Sequence, residues 1–129
     1  MNSSRAHSPA RVSSLGGRVA SALALFLALA LVGCADQPPS RVAFRLLEGM
    51  KATAIACMES AGDVYRAGAM SEADRAKAEA AYTVFRAACN TAAIASATIT
   101  TADQIAVVIA APQQKLSELQ AVTPPPKVK

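Results

Sequence analysis

Apolar and polar residues alternate along this chain with the period of an α-helix over most of its length. From Arg41 an apolar stripe runs through Ala43, Leu47, Met50, Ala54, Cys57, Ala61 and Val64. The steps are three or four residues, which places all seven on one helix face. Arg41, Arg45, Glu48, Glu59, Asp63 and Arg66 fall on the other side. The pattern predicts a first helix over 41–67, with Gly62 as a weak point and Gly68 as the left-handed residue that ends it.

Ser71-Glu72-Ala73-Asp74 has the chemistry of a helix start. A serine oxygen can accept from an unpaired backbone N–H, and the acids suit the positive end of the helix dipole. Ala78, Ala81, Phe85, Ala88, Ala92 and Ala95 form the expected buried stripe of a second helix over 72–96, while Glu72, Arg75, Glu79 and Arg86 line its wet face. The short connection between the two makes them an antiparallel hairpin. Thr101 with Gln104 is a capping-box spacing. Ile105, Ile109, Pro112, Leu116 and Leu119 then continue a third helix, which Pro112 is expected to kink or restart because it lacks a donor and crowds the carbonyl of Val108. The predicted fold class is all-α, a small bundle of about three helices.

The ends of the chain follow different rules. Arg5, Arg11 and Arg18 precede an uncharged apolar run, Val19 to Leu31, of 13 residues. That length fits a signal-peptide core of roughly 7–15 residues and falls short of the roughly 18 that a membrane span requires. The run ends at Leu31-Val32-Gly33-Cys34, and Asp36 and Pro38-Pro39 follow. The tetrad resembles the lipobox of bacterial lipoprotein precursors: an aliphatic residue, a small or aliphatic residue, Gly or Ala, then Cys. The resemblance covers residues 1 to about 36. It implies that Leu31, Val32 and Gly33 are read by the signal peptidase and that Cys34 receives a diacylglycerol thioether. Cys34 then becomes the mature N-terminus and is usually N-acylated. Two hydrophobic signals hold a protein firmly where one does not. In enteric bacteria Asp directly after the lipidated Cys favours the inner membrane; here that position is Ala35, so the expected location is the periplasmic side of the outer membrane.

The organisation expected is therefore a signal peptide at 1–33, a tether at 34–40, a helical domain at 41–122 and a proline-rich flexible tail at 123–129. Cleavage changes the chemistry of what remains. The full chain has 13 Lys and Arg against 9 Asp and Glu, and three of the arginines leave with the leader. The mature chain is then nearly neutral, which argues against nucleic acid as a partner. His7, the single histidine, leaves as well. Without histidine there is no His-based triad, His-ligated zinc site or His general base. With no Trp and a middle dominated by Ala, the core is expected to be thin.

Cys57 and Cys89 are the two cysteines left after lipidation. An oxidising envelope would favour a disulfide between them, which could contribute roughly 3–4 kcal/mol in the loop-entropy treatment. Helical register opposes it: measured from the turn, the two lie roughly 10 Å apart along the axis, against a Cα separation limit of about 7 Å. An early end of the first helix near Gly62 would relieve the mismatch, and two buried free thiols are the alternative. Tyr65 and Tyr82 are expected to pack on the hairpin with their hydroxyls in water. Glu48, Glu59, Asp63, Glu72, Asp74 and Glu79 interleave with Arg on solvated faces, and Ser71 and Thr101 read as caps. No phosphate loop, nucleophile motif or metal-ligand spacing is present, and no cofactor or metal is expected.

Three roles follow from this pattern. The first is a non-catalytic structural or interaction lipoprotein that docks another envelope component. The second is a carrier or chaperone-like module for a hydrophobic ligand. The third is a peptidoglycan-linked lipoprotein, because the enteric murein lipoprotein is joined to the wall through its C-terminal lysine and Lys129 ends this sequence on a proline-rich spacer. That protein is a single long heptad helix, so the likeness is confined to the lysine.

Overall fold

A computed structural model describes residues 37–125, which form three α-helices: α1, Pro39–Arg66; α2, Glu72–Ser96; and α3, Ala102–Val122. Among the described residues there is no strand. The chain is all-α, as the periodicity predicts. The apolar stripes of the first and third helices are the buried ones, except that Val64 is half-buried. Ala43, Leu47, Met50, Ala54, Cys57 and Ala61 of α1 meet Ile105, Ile109, Pro112, Leu116 and Leu119 of α3 across a core centred on Phe85. The α2 seam departs from expectation. Ala81 and Ala88 are half-buried, Ala95 is exposed, and the buried series is Ala78, Phe85, Cys89, Ala92 and Ser96. Ser96 can be buried because its Oγ donates to the Ala92 carbonyl at 2.7 Å.

α1 begins at Pro39, two residues before the position that the stripe suggests. Pro38-Pro39 was expected to belong to an extended tether. Yet proline is well suited to the first turn, where its missing N–H would have had no helical partner and its φ is already helical. The amides of Arg41 and Val42 donate to the Pro38 carbonyl at 2.9 and 3.3 Å. At the other end, Gly68 has φ +73°. Its amide donates to the Tyr65 carbonyl (2.9 Å), and that of Ala69 donates to Val64 (3.0 Å), the paired bonds of a Schellman ending. Gly62 does not interrupt α1.

The other caps follow the sequence closely. Ser71 Oγ accepts from the Asp74 amide at 3.1 Å and donates to the Asp74 carboxylate at 2.7 Å. The Gln104 side chain reaches back to accept from the amides of Thr100 (2.8 Å) and Thr101 (3.2 Å). α3 runs through Pro112 as one element and does not restart there. Pro112 is among the most deeply buried side chains, so its ring contributes to the core what the missing backbone bond removes.

The chain after α3 is more ordered than its prolines suggest. Thr123 is buried, with its Oγ donating to the Leu119 carbonyl at 2.9 Å. Ser60 Oγ on α1 donates to the Pro125 carbonyl at 3.1 Å. A free tail therefore cannot begin at 123. Two polar side chains hold residues 123–125 against the bundle before the described chain ends.

Candidate functional site

The alignment of α1 with α2 is set by the hydrogen bond from Tyr65 to Glu72. In an antiparallel hairpin, residues level with one another keep the sum of those two numbers. Gly62, Arg75, Ile55 and Tyr82 line one groove between the helices. The groove measures about 560 Å³ and is open to solvent. Ile55, Met58, Ala61 and Ala78 give it an apolar floor, and Tyr65, Tyr82, Arg75 and Glu79 its walls. It exists because α1 and α2 meet here over alanines. Ala61 and Ala78 let the backbones approach but leave a trough beside them that no large side chain fills.

One polar network crosses the upper part of the groove. The Tyr65 hydroxyl donates to a Glu72 carboxylate oxygen at 2.6 Å. Arg75 donates to the other Glu72 oxygen at 3.0 Å, pairs with Glu79 at 3.5 Å, and lays its guanidinium over the Tyr65 ring, 4.7 Å from the centroid. Its Nε is buried without a hydrogen-bond partner. The electrostatic result is coupled. The hydrogen bond from Tyr65 and then that from Arg75 hold the Glu72 carboxyl below the usual carboxylate range. The same Glu72 bond and charge raise the Tyr65 hydroxyl above its ordinary value. These groups are solvent-facing, so the network orients side chains more than it stabilises the fold. Sequence reasoning places the Tyr65 hydroxyl in water and the carboxylates apart. The structure ties Tyr65 to Glu72 and gathers Glu72 and Glu79 around one arginine.

The remaining carboxylates stay dispersed. Glu48 pairs with Lys51 (2.9 Å), Asp74 with Lys77 (3.1 Å), and Asp63 with Arg66, each three residues apart on its own helix. Tyr82 is half-buried beneath Arg86, whose guanidinium carbon is 5.9 Å from the ring centroid. No group of three or more His, Cys, Asp or Glu side chains among the described residues has the geometry to hold a metal ion.

Cys57 and Cys89 are buried free thiols. The hairpin alignment explains why they do not meet. Cys57 lies level with α2 residues near 80, whereas Cys89 lies level with Glu48 and Lys51, whose charges act on it. The offset is about nine residues, or roughly 13 Å of helix, well beyond disulfide reach. Because α1 continues through Gly62, the early ending that would have relieved the offset is absent. Burial pushes the Cys89 thiol above its ordinary pKa, which makes it a poor nucleophile. Leu31, Val32, Gly33 and Cys34 lie outside the described residues, as does Lys129.

No protein-family model, curated protein or solved structure matches this chain.

Proposed function

We propose that the protein is a lipid-anchored component of a bacterial cell envelope that works by contact rather than catalysis. The observation that carries this reading is the tetrad Leu31-Val32-Gly33-Cys34 at the end of a charged-then-apolar leader. A compact helical domain beginning five residues after Cys34 is consistent with a folded module held at a membrane by its N-terminus. No described helix is long and apolar enough to cross a membrane. Cys34→Ala provides the test. It should abolish fatty-acid labelling and leave either the uncleaved precursor or a form released by ordinary signal peptidase. Labelling that persists in the variant overturns the reading.

Within this reading the α1–α2 groove is the surface best equipped to meet an envelope partner. Tyr, Met and Arg are enriched at protein interfaces because each buries a large area while keeping a polar or adaptable part. A carrier of hydrophobic ligands is less well supported, since such sites bury most of a ligand's surface and this groove is open. The tail favours a second reading. The chain enters the bundle at the N-terminus of α1 and leaves beside Ser60, near the opposite end. A wall link through Lys129 would extend from that exit. Wild-type protein retained on purified sacculi after boiling in detergent, and lost when 126–129 are deleted, supports the link; protein that washes off removes it.

A further inference from the structure

The two ends of the bundle differ sharply in charge, and the difference aligns with the direction of the tether. Around the turn between α1 and α2 cluster Glu59, Asp63, Arg66, Glu72, Asp74, Arg75, Lys77 and Glu79. At the other end the chain from Ala87 to Gln114 contains a single charge, Asp103. The first turns of α1 add Arg41 and Arg45, both exposed, and neither has an ion-pair partner among the described residues. Each helix also exposes one large apolar side chain near this end. These are Phe44, 40% exposed and five residues into α1; Ile94, 76% exposed and two residues from the end of α2; and Val107, 77% exposed and five residues into α3. By the hairpin alignment Phe44 and Ile94 lie at the same height. Five residues of helix rise about 7.5 Å. The three side chains therefore form a collar within about 3–8 Å of the helix ends; the turn between α2 and α3 carries Thr98, Thr100 and Thr101, and Arg41 and Asp103 are the charges nearer the rim.

We infer that this collar is a docking surface for an anionic phospholipid bilayer, so that the domain rests end-on in the lipid interface. The inference depends on the anchoring proposed for Cys34. Five residue steps separate Cys34 from Pro39, and a fully extended chain of that length reaches only roughly 17 Å. A lipidated Cys34 would therefore tether the bundle by the end that carries the collar. Interfacial protein segments bury apolar side chains about 5–10 Å into the boundary between headgroups and acyl chains, the depth at which the collar lies. Arg45, level with Phe44, would meet the negative headgroups, Arg41, nearer the rim, would reach them along its flexible stem, and the eight charges at the opposite end would stay in water.

The chain has no tryptophan, so one introduced at an exposed position is a unique fluorophore. Ile94→Trp, Val107→Trp and, at the opposite turn, Ala69→Trp are made in the full precursor, and the mature lipidated proteins are reconstituted into vesicles of phosphatidylcholine and phosphatidylglycerol. All three sites are exposed, so folding is little affected. The expected result is blue-shifted emission from Ile94→Trp and Val107→Trp, quenched by acyl-brominated lipid several-fold more strongly than that from Ala69→Trp. Arg41→Gln with Arg45→Gln should weaken that quenching on anionic vesicles and leave it unchanged on neutral ones. Protein that floats with the vesicles but shows equal, weak quenching at all three sites overturns the docking and leaves the anchor intact. Protein that does not float overturns the anchor, and the docking falls with it. Quenching that the arginine substitutions do not alter overturns the role of anionic lipid.

Discussion

The end of the bundle where α1 starts and the end where α1 turns into α2 are built on opposite principles. The first has a bulky core and a bare surface. Val42, Leu47, Met50, Ile99, Ile105 and Ile109 fill it, while few charges ring it. The second packs Leu116 and Leu119 of α3 on a seam of small residues, Ala54, Ala61 and Ala78, under a dense lattice of intrahelical ion pairs. Hydrophobic burial scales with apolar area, whereas exposed ion pairs contribute little each, so the charged lattice adds little to what the buried side chains supply. The second end is correspondingly freer to vary its surface, and it holds the groove.

The largest effect comes from emptying the core at its centre and toward the first end. Phe85→Ala should cost about 3–5 kcal/mol and Leu47→Ala about 2–5 kcal/mol, because both side chains are almost wholly enclosed and leave cavities. Either loss is a large fraction of the stability of a domain this small. Urea denaturation of the two variants would measure it. A loss below about 1 kcal/mol for both would show that the core is looser than its burial implies.

The alanine seam between α1 and α2 should fail by the opposite substitution. Ala78→Leu adds volume where α1 and α2 pack over alanines, and overfilling a packed seam costs about 1–3 kcal/mol. The same change should partly fill the groove beside it. If Ala78→Leu were neutral, the alanine seam would have slack, and the groove could open further into the hairpin.

How much of this contrast is written in the sequence differs from feature to feature. The helices, the Gly68 ending and the Ser71 cap are local, and each depends on residues within one or two turns. They were legible for that reason. The start of α1 was misread because Pro39 suits a first turn as well as a tether, and local rules do not choose between them. The Tyr65–Glu72–Arg75 network needed the alignment of two helices, which follows from the turn geometry and not from either stripe alone. The cysteine offset could be computed from helix lengths, but Gly62 left α1's end open until its continuity was seen. The long charge-poor stretch from Ala87 to Gln114 was visible throughout. It acquired meaning only when the bundle folded it to one end.

Smaller effects test the junction between the bulk of the fold and its tail. Ser60→Ala removes the hydrogen bond to Pro125, with an expected cost of about 0.5–1.5 kcal/mol. Deleting 126–129 should leave the melting temperature unchanged, whereas deleting 123–129 should lower it by removing buried Thr123 as well. Equal melting temperatures for the two deletions would show that residues 123–125 add nothing to the fold.

The smallest effect comes from the charged end, and its sign follows from linkage. Glu72 has a folded-state pKa below its unfolded value, so it binds protons less readily when folded. Its contribution is fully present above the unfolded carboxylate range and is lost as pH falls through the depressed folded value, below about pH 4. Tyr65 titrates in the opposite sense. Its raised folded pKa makes its contribution complete below the ordinary tyrosine range and lost as pH rises through the folded value, above about pH 10. A single substitution, Glu72→Gln, removes the cause of both shifts. Melting temperatures of the wild type should decline slightly more steeply than those of Glu72→Gln at both acid and alkaline extremes, with the two curves parallel between them. Both groups face solvent, so added salt should narrow the gap. If the curves diverge at one extreme only, Tyr65 and Glu72 do not act as a hydrogen-bonded pair, and the groove's upper wall is two independent side chains.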